Sequence, residues 1–120
     1  MQMLLVGLGG AAGAMLRYAV GLVPCKSGLP VMTLLINVLG ALAIGVIAGV
    51  AAKRNVSPGA LAFLKTGVCG GFTTFSTFSL ETYLLAQNGG LVPAAAYAAL
   101  SVGLCLAGIA LGMLLAGRLA

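Results

Sequence analysis

The sequence predicts an all-α integral membrane protein, a single domain over residues 1–120 made of four transmembrane helices, the third broken at bilayer depth. Three observations carry this prediction. Hydrophobic residues make up 62% of the 120-residue chain and charged residues only 6%, against about 25% charged in soluble domains. Charged side chains are absent from Val31 to Ala52 and from Leu91 to Gly117, and each run exceeds the roughly 20 residues that cross a bilayer as a helix. Turn chemistry then punctuates the chain at Pro24-Cys25-Lys26-Ser27-Gly28-Leu29-Pro30, at Lys53-Arg54-Asn55-Val56-Ser57-Pro58-Gly59 and at Asn88-Gly89-Gly90.

The first span is expected over about Met3–Val23. It lacks a basic leader and Arg17 interrupts its apolar run, so it reads as a retained helix and not as a cleaved signal peptide. Within it, Gly7-Leu8-Gly9-Gly10-Ala11-Ala12 has the spacing of a dinucleotide fingerprint. That motif needs a preceding strand and an acid about 20 residues later, and neither is present. Arg17 either gives a vestibule positive potential or snorkels to headgroups.

The second span, about Val31–Ala52, carries Asn37 at depth. Its amide can donate to an anion or make an interhelical hydrogen bond. The third span, about Gly59–Ala86, opens on Ser57 as a cap and Pro58 at the first helical position. Its 28 residues would run roughly 42 Å as one straight helix, longer than the hydrocarbon core of about 30 Å. Residues 66–79 hold three Gly and six Ser or Thr, with Gly70-Gly71 at their centre. Adjacent glycines make a break cheap there, and a break at depth frees carbonyls that coordinate cations and amides that favour anions. Alternatively, Gly70-Gly71 simply lets a neighbouring helix approach. Beyond the glycines, Phe72, Phe75 and Phe78 recur every three residues, and Thr73, Thr74, Ser76, Thr77 and Ser79 make the turn too polar to face lipid. Hydroxyl donors and the positive edges of phenyl rings suit a small anion shedding its water, although such hydroxyls also bond back to their own helix. Glu81 is expected near the interface, paired with Arg17 or Lys26. The fourth span, about Leu91–Gly117, adds Tyr97 and Ser101 one turn apart.

Net charge is +5, with six Lys or Arg, one acid and no His. The cations sit at segment ends, as headgroup anchors do, without the clustered patch that nucleic acid requires. No His, paired carboxylates or Cys/His cluster supports an enzyme or a zinc site. Four spans place Lys53, Arg54, Arg118 and Lys65 towards one side and Arg17 and Lys26 towards the other. This slight bias fits cytoplasmic termini or insertion in both orientations. Small residues recur at helix-packing intervals in Gly9/Gly13, Gly45/Gly49 and Gly108/Gly112, which serve either packing within the subunit or a dimer face. Four helices scarcely enclose a pathway, so oligomerisation is expected.

These residues resemble the Fluc (CrcB) fluoride channels of bacteria along essentially the whole chain. The resemblance is carried by Gly9 through Tyr18, by Thr33 through Gly40, and above all by Gly70-Gly71-Phe72-Thr73-Thr74-Phe75-Ser76-Thr77-Phe78. It implies a passive, fluoride-selective channel in the bacterial inner membrane that lets F⁻ leave the cytoplasm. It further implies an antiparallel, dual-topology homodimer with two pores. Backbone carbonyls of Gly70 and Thr73 would hold a structural Na⁺ at the dimer centre. Phe75 and Phe78 would line each pore with Asn37, Ser76, Thr77, Ser79, Tyr97 and Ser101, and Arg17 would stand at the vestibule. The alternative is a small multidrug exporter, which shares four spans and dual topology but needs a carboxylate deep in the first span; here that span has Arg17 and no acid.

Overall fold

The computed structural model describes residues 1–119, and these are almost wholly helical. Helix α1 spans Gln2–Gly21 and α2 spans Val31–Lys53; a short α3, Pro58–Leu61, runs directly into wide turns over Ala62–Cys69 and then α4, Gly70–Phe72. After an interruption come α5, Phe75–Asn88, and α6, Leu91–Leu119. Only α1, α2 and α6 are each long and apolar enough to cross a membrane alone. The segmented run from α3 to α5 is the fourth element expected from the sequence, divided because its hydrogen-bond ladder changes twice.

Local chemistry sets the ends. Ser57 Oγ accepts from the Ala60 amide at 3.2 Å, with Pro58 at the first position, as the sequence predicts. At the other end of this run the Gly89 amide donates to the Leu85 carbonyl at 2.7 Å, and Gly90 follows at φ 95°. A side chain resists that left-handed conformation, so glycine permits the tight turn into α6.

Packing follows two glycine seams. Along the first, α1 lies on the wide turns and on α4. A methyl group added at Gly9 would meet the Phe63 carbonyl, one at Gly13 the Val68 carbonyl, and one at Gly71 the Gly10 carbonyl. Along the second, α2 lies on α6, where a methyl at Gly45 would meet the Ile109 carbonyl and one at Gly112 the Leu42 carbonyl and, at 2.7 Å, the Val46 nitrogen. The small-residue pairs therefore serve packing within the subunit. Helices gain no hydrophobic drive to associate in lipid, and close backbone contact supplies dispersion attraction instead. Helix α5 rests mainly on α6, which leaves much of its other side uncovered.

Candidate ion site

The interruption of the third element organises the site. It does not lie at Gly70-Gly71, as the sequence predicts, but at Thr73-Thr74. Gly70 continues the helix at φ −63° and ψ −38°, and Gly71 is one of the close contacts with α1. Thr73 (φ −79°, ψ 157°) and Thr74 (φ −149°, ψ 121°) are extended.

The reason is Asn37. Its Oδ1 accepts from the Thr74 amide at 2.8 Å, and its Nδ2 donates to the Thr74 carbonyl at 2.9 Å. One side chain from α2 thus satisfies both backbone groups of the residue at which the helix parts. Thr74 then caps the new helix, its Oγ1 accepting from the Thr77 amide at 3.2 Å. Backbone groups inside a bilayer must find partners within the protein, and this set of bonds makes the extended pair tolerable. The Thr74 amide is directed to Asn37 instead of the Gly70 carbonyl, and the Thr77 amide to Thr74 Oγ1 instead of the Thr73 carbonyl. Both carbonyls therefore lack the backbone donors that a continuous helix would give them.

Arg17 approaches the same point from α1, its Nε donating to the Gly71 carbonyl at 3.1 Å. It lines a cavity of about 430 Å³ together with Tyr18, Thr33, Thr74 and Thr77. Arg17 thus turns towards the break, with part of its donor set left at the cavity wall.

A second cavity, of about 360 Å³, opens on the other side of Thr74. Asn37, Thr73, Phe75, Phe78, Ser101 and Cys105 contribute to its wall. The Phe75 and Phe78 rings stand 5.6 Å apart at 47°, and Phe78 stands 5.3 Å from Tyr97 at 50°. Tilted packing of this kind sets the partly positive edge of one ring near the face of the next. Phe72 does not join this stripe. It precedes the break, and its ring lies near Gly40 of α2, because the extended pair interrupts the periodicity that would have aligned it.

The hydroxyls divide by use. Ser79 Oγ donates to the Phe75 carbonyl at 2.9 Å and Thr73 Oγ1 to the Cys69 carbonyl at 2.9 Å, so both bond back to their own chain. Thr77 Oγ1 takes a bond from Thr74 Oγ1 at 3.1 Å, and Ser76 Oγ lies 3.4 Å from the same Thr74 oxygen. Ser101 is 5% exposed, and its buried Oγ has no hydrogen-bond partner among the described residues. Buried hydroxyls are rarely left so. Ser101 contributes to the cavity wall, although its oxygen is itself buried.

Glu81 is not paired with Arg17 or Lys26. Its Oε1 accepts from Thr33 Oγ1 at 2.7 Å and its Oε2 from the Tyr97 hydroxyl at 2.8 Å. Position in the sequence suggested an interfacial ion pair, but α5 packed on α6 presents the carboxylate to Tyr97, and the start of α2 supplies Thr33. Thr33 escaped notice as a site residue because a lone threonine early in a span carries no pattern. Cys69 is buried, as expected of an apolar packing residue, whereas Cys105 reaches the cavity wall.

Comparison with known proteins identifies the family. A family profile described as CrcB-like protein, Camphor Resistance (CrcB), matches residues 4–113. Curated relatives named fluoride-specific ion channel FluC include one from Shewanella pealeana, 43% identical over 114 residues that cover 92% of each chain. Another, from Roseobacter denitrificans, is 45% identical over 120 residues, covering 93% of this chain and 92% of its own. A third, from Nitrobacter winogradskyi, is 47% identical over 114 residues, covering 88% and 90%. A profile match along nearly the whole length, over a helix interrupted where an amide from another span replaces its ladder, places this chain in the CrcB family.

Proposed function

We infer that this protein is a fluoride-selective passive channel of the bacterial inner membrane that lets F⁻ leave the cytoplasm. The observation that carries this reading is the Thr73-Thr74 break, clamped by Asn37 and opening onto a cavity walled by Phe75, Phe78 and Ser101. Fluoride is small and strongly hydrated, so its path has to replace water with donors at close range. Amide, hydroxyl and ring-edge groups do this without placing a cation in direct contact with the ion, which would trap it. Similarity to relatives named as fluoride-specific channels supports the choice of ion.

The working unit is an antiparallel homodimer. Phe75 is 77% exposed in the single chain, and the exposed side of the third element also carries Lys65, Thr66, Ser76 and Ser79. Lipid is a poor neighbour for those polar groups, and a second copy covers them. The freed carbonyls of Gly70 and Thr73 fit a hard monovalent cation, since neutral oxygens released at a helix break are the donor set such ions take. In the dimer they hold a structural Na⁺ that supplies positive potential near the anion route.

The test is efflux from liposomes, with voltage set by a K⁺ gradient, comparing F⁻ and Cl⁻. Rapid F⁻ loss with little Cl⁻ loss is expected. Equal rates for the two anions, or no F⁻ flux from folded protein, would sink the reading.

A further inference from the structure

We propose that the paired ends of α2 and α6 form a binding site for the phosphate of an anionic lipid, held by Lys53, Arg54 and Arg118. The proposal does not depend on which ion the protein conducts.

The two helices run in the same direction: Gly45 lies against Ile109, and further along Gly49 lies against Met113 and Ala116. They therefore reach one end of the molecule together, α2 at Lys53 and α6 at Leu119. Lys53 Nζ closes the contact by donating to the Gly117 carbonyl at 3.2 Å. An ammonium has three protons, so two remain for a further acceptor. Arg54 follows directly in extended backbone (φ −126°, ψ 150°), and Arg118 is next to the carbonyl that Lys53 holds. All three cationic residues are exposed.

Capping accounts for only part of this charge. A helix C-terminus carries about half a negative charge, so two such ends offset roughly one of the three cations. Glu81, the only acidic side chain in the sequence, is bonded to Thr33 near the start of α2. From Thr33 to Lys53 the helix rises about 30 Å, several times the Debye length of about 8 Å at physiological salt. About two positive charges are thus left at this end with no acidic side chain within reach of them.

Position selects a lipid as the counter-ion. The charge-free runs of both helices end here, at Ala52 and Gly117, which puts the cations at headgroup depth. Leu114 and Leu111 precede Arg118 on the same side of α6, and they are 69% and 51% exposed. An acyl chain can lie along these leucines while its phosphate meets the guanidinium groups, whose paired N–H donors match phosphate oxygens. A free phosphate would gain the cations but not the leucines.

The experiment is native mass spectrometry of the whole protein released from detergent, titrated with phosphatidylglycerol or with phosphatidylcholine of the same acyl chains. Each cation near an anionic surface is worth about fivefold in binding, so the parent protein is expected to prefer phosphatidylglycerol by about a hundredfold. Arg54→Gln and Arg118→Gln should each lower that preference by about fivefold, and the Lys53→Gln/Arg54→Gln/Arg118→Gln variant should abolish it. Lys26→Gln removes one exposed charge from the connection between α1 and α2, at the opposite end, and should leave the preference unchanged. Excess inorganic phosphate should not displace the lipid. A parent protein without preference, or a preference that survives the triple variant, would overturn the proposal. An equal loss from Lys26→Gln would reduce the effect to net charge, and displacement by inorganic phosphate would make this a site for the free anion; either result also refutes the lipid site. If the triple variant does not fold, the two single arginine variants set against Lys26→Gln decide the same question.

Discussion

The glycine seams and the helix break treat the backbone in opposite ways. Along the seams, glycine brings two backbones together without any polar exchange: Gly13 against Val68, Gly45 against Ile109, Gly112 against Leu42. At the break, no glycine is involved. Two threonines leave helical conformation because Asn37, from another element, takes over both polar groups of Thr74. The difference teaches that, in a membrane helix, cheap backbone freedom is not enough to open a break; a replacement partner must stand ready for each group released.

Variants can test that division, beginning where the largest loss is expected. Gly112→Leu should yield no folded protein, since even a methyl there meets the Leu42 carbonyl and, at 2.7 Å, the Val46 nitrogen. Overpacking of this kind costs about 3 kcal/mol or more when backbone is the obstacle, and a monodisperse size-exclusion peak would contradict the seam. Phe78→Ile should leave the fold intact but slow F⁻ efflux by about a hundredfold, because the ring edge on the cavity wall is removed while apolar volume is kept. Asn37→Ala should destabilise the protein by about 2–3 kcal/mol, two lost hydrogen bonds and an unsatisfied backbone pair at Thr74, with a lowered melting temperature and reduced F⁻ efflux. Arg17→Lys retains the charge but loses the planar donor aimed at the Gly71 carbonyl; F⁻ efflux is expected to fall by about threefold. Gly103→Ala is the contrast that should do least. Nothing lies within 4 Å of an added methyl there, so melting temperature and flux should both match the parent protein.

Much of this organisation is legible in the sequence, but unevenly. The spans follow from charge-free runs and from turn chemistry that acts locally, as at Ser57-Pro58 and Gly89-Gly90. The existence of a break follows from the length and polarity of the third element. Its position does not, because the deciding partner, Asn37, lies 37 residues away from Thr74. Local propensity points to Gly70-Gly71, and tertiary hydrogen bonding overrides it. Glu81 misleads in a similar way. Its expected place near the interface points to an ion pair with Arg17 or Lys26, whereas its partners are neutral hydroxyls brought in by α2 and α6. Phe75, Phe78, Asn37 and Ser101 do meet at one cavity, since both rings follow the interruption and keep their helical spacing. No residue pattern announces the wide turns over Ala62–Cys69.

Those wide turns bear on how the chain tolerates length changes. Hydrogen bonds that close over one residue more than usual advance each residue through a smaller angle than the 100° of an ordinary helix. They therefore set the rotational phase at which Gly67 and Gly71 arrive opposite α1, where their added methyls would strike Gly9 and Gly10. Removing one residue from Ala62–Cys69 while the wide turns persist would swing everything up to the break by one residue's angular step, somewhat under 100°. An insertion or deletion that a loop would absorb becomes, in this segment, a change of which face meets its neighbour.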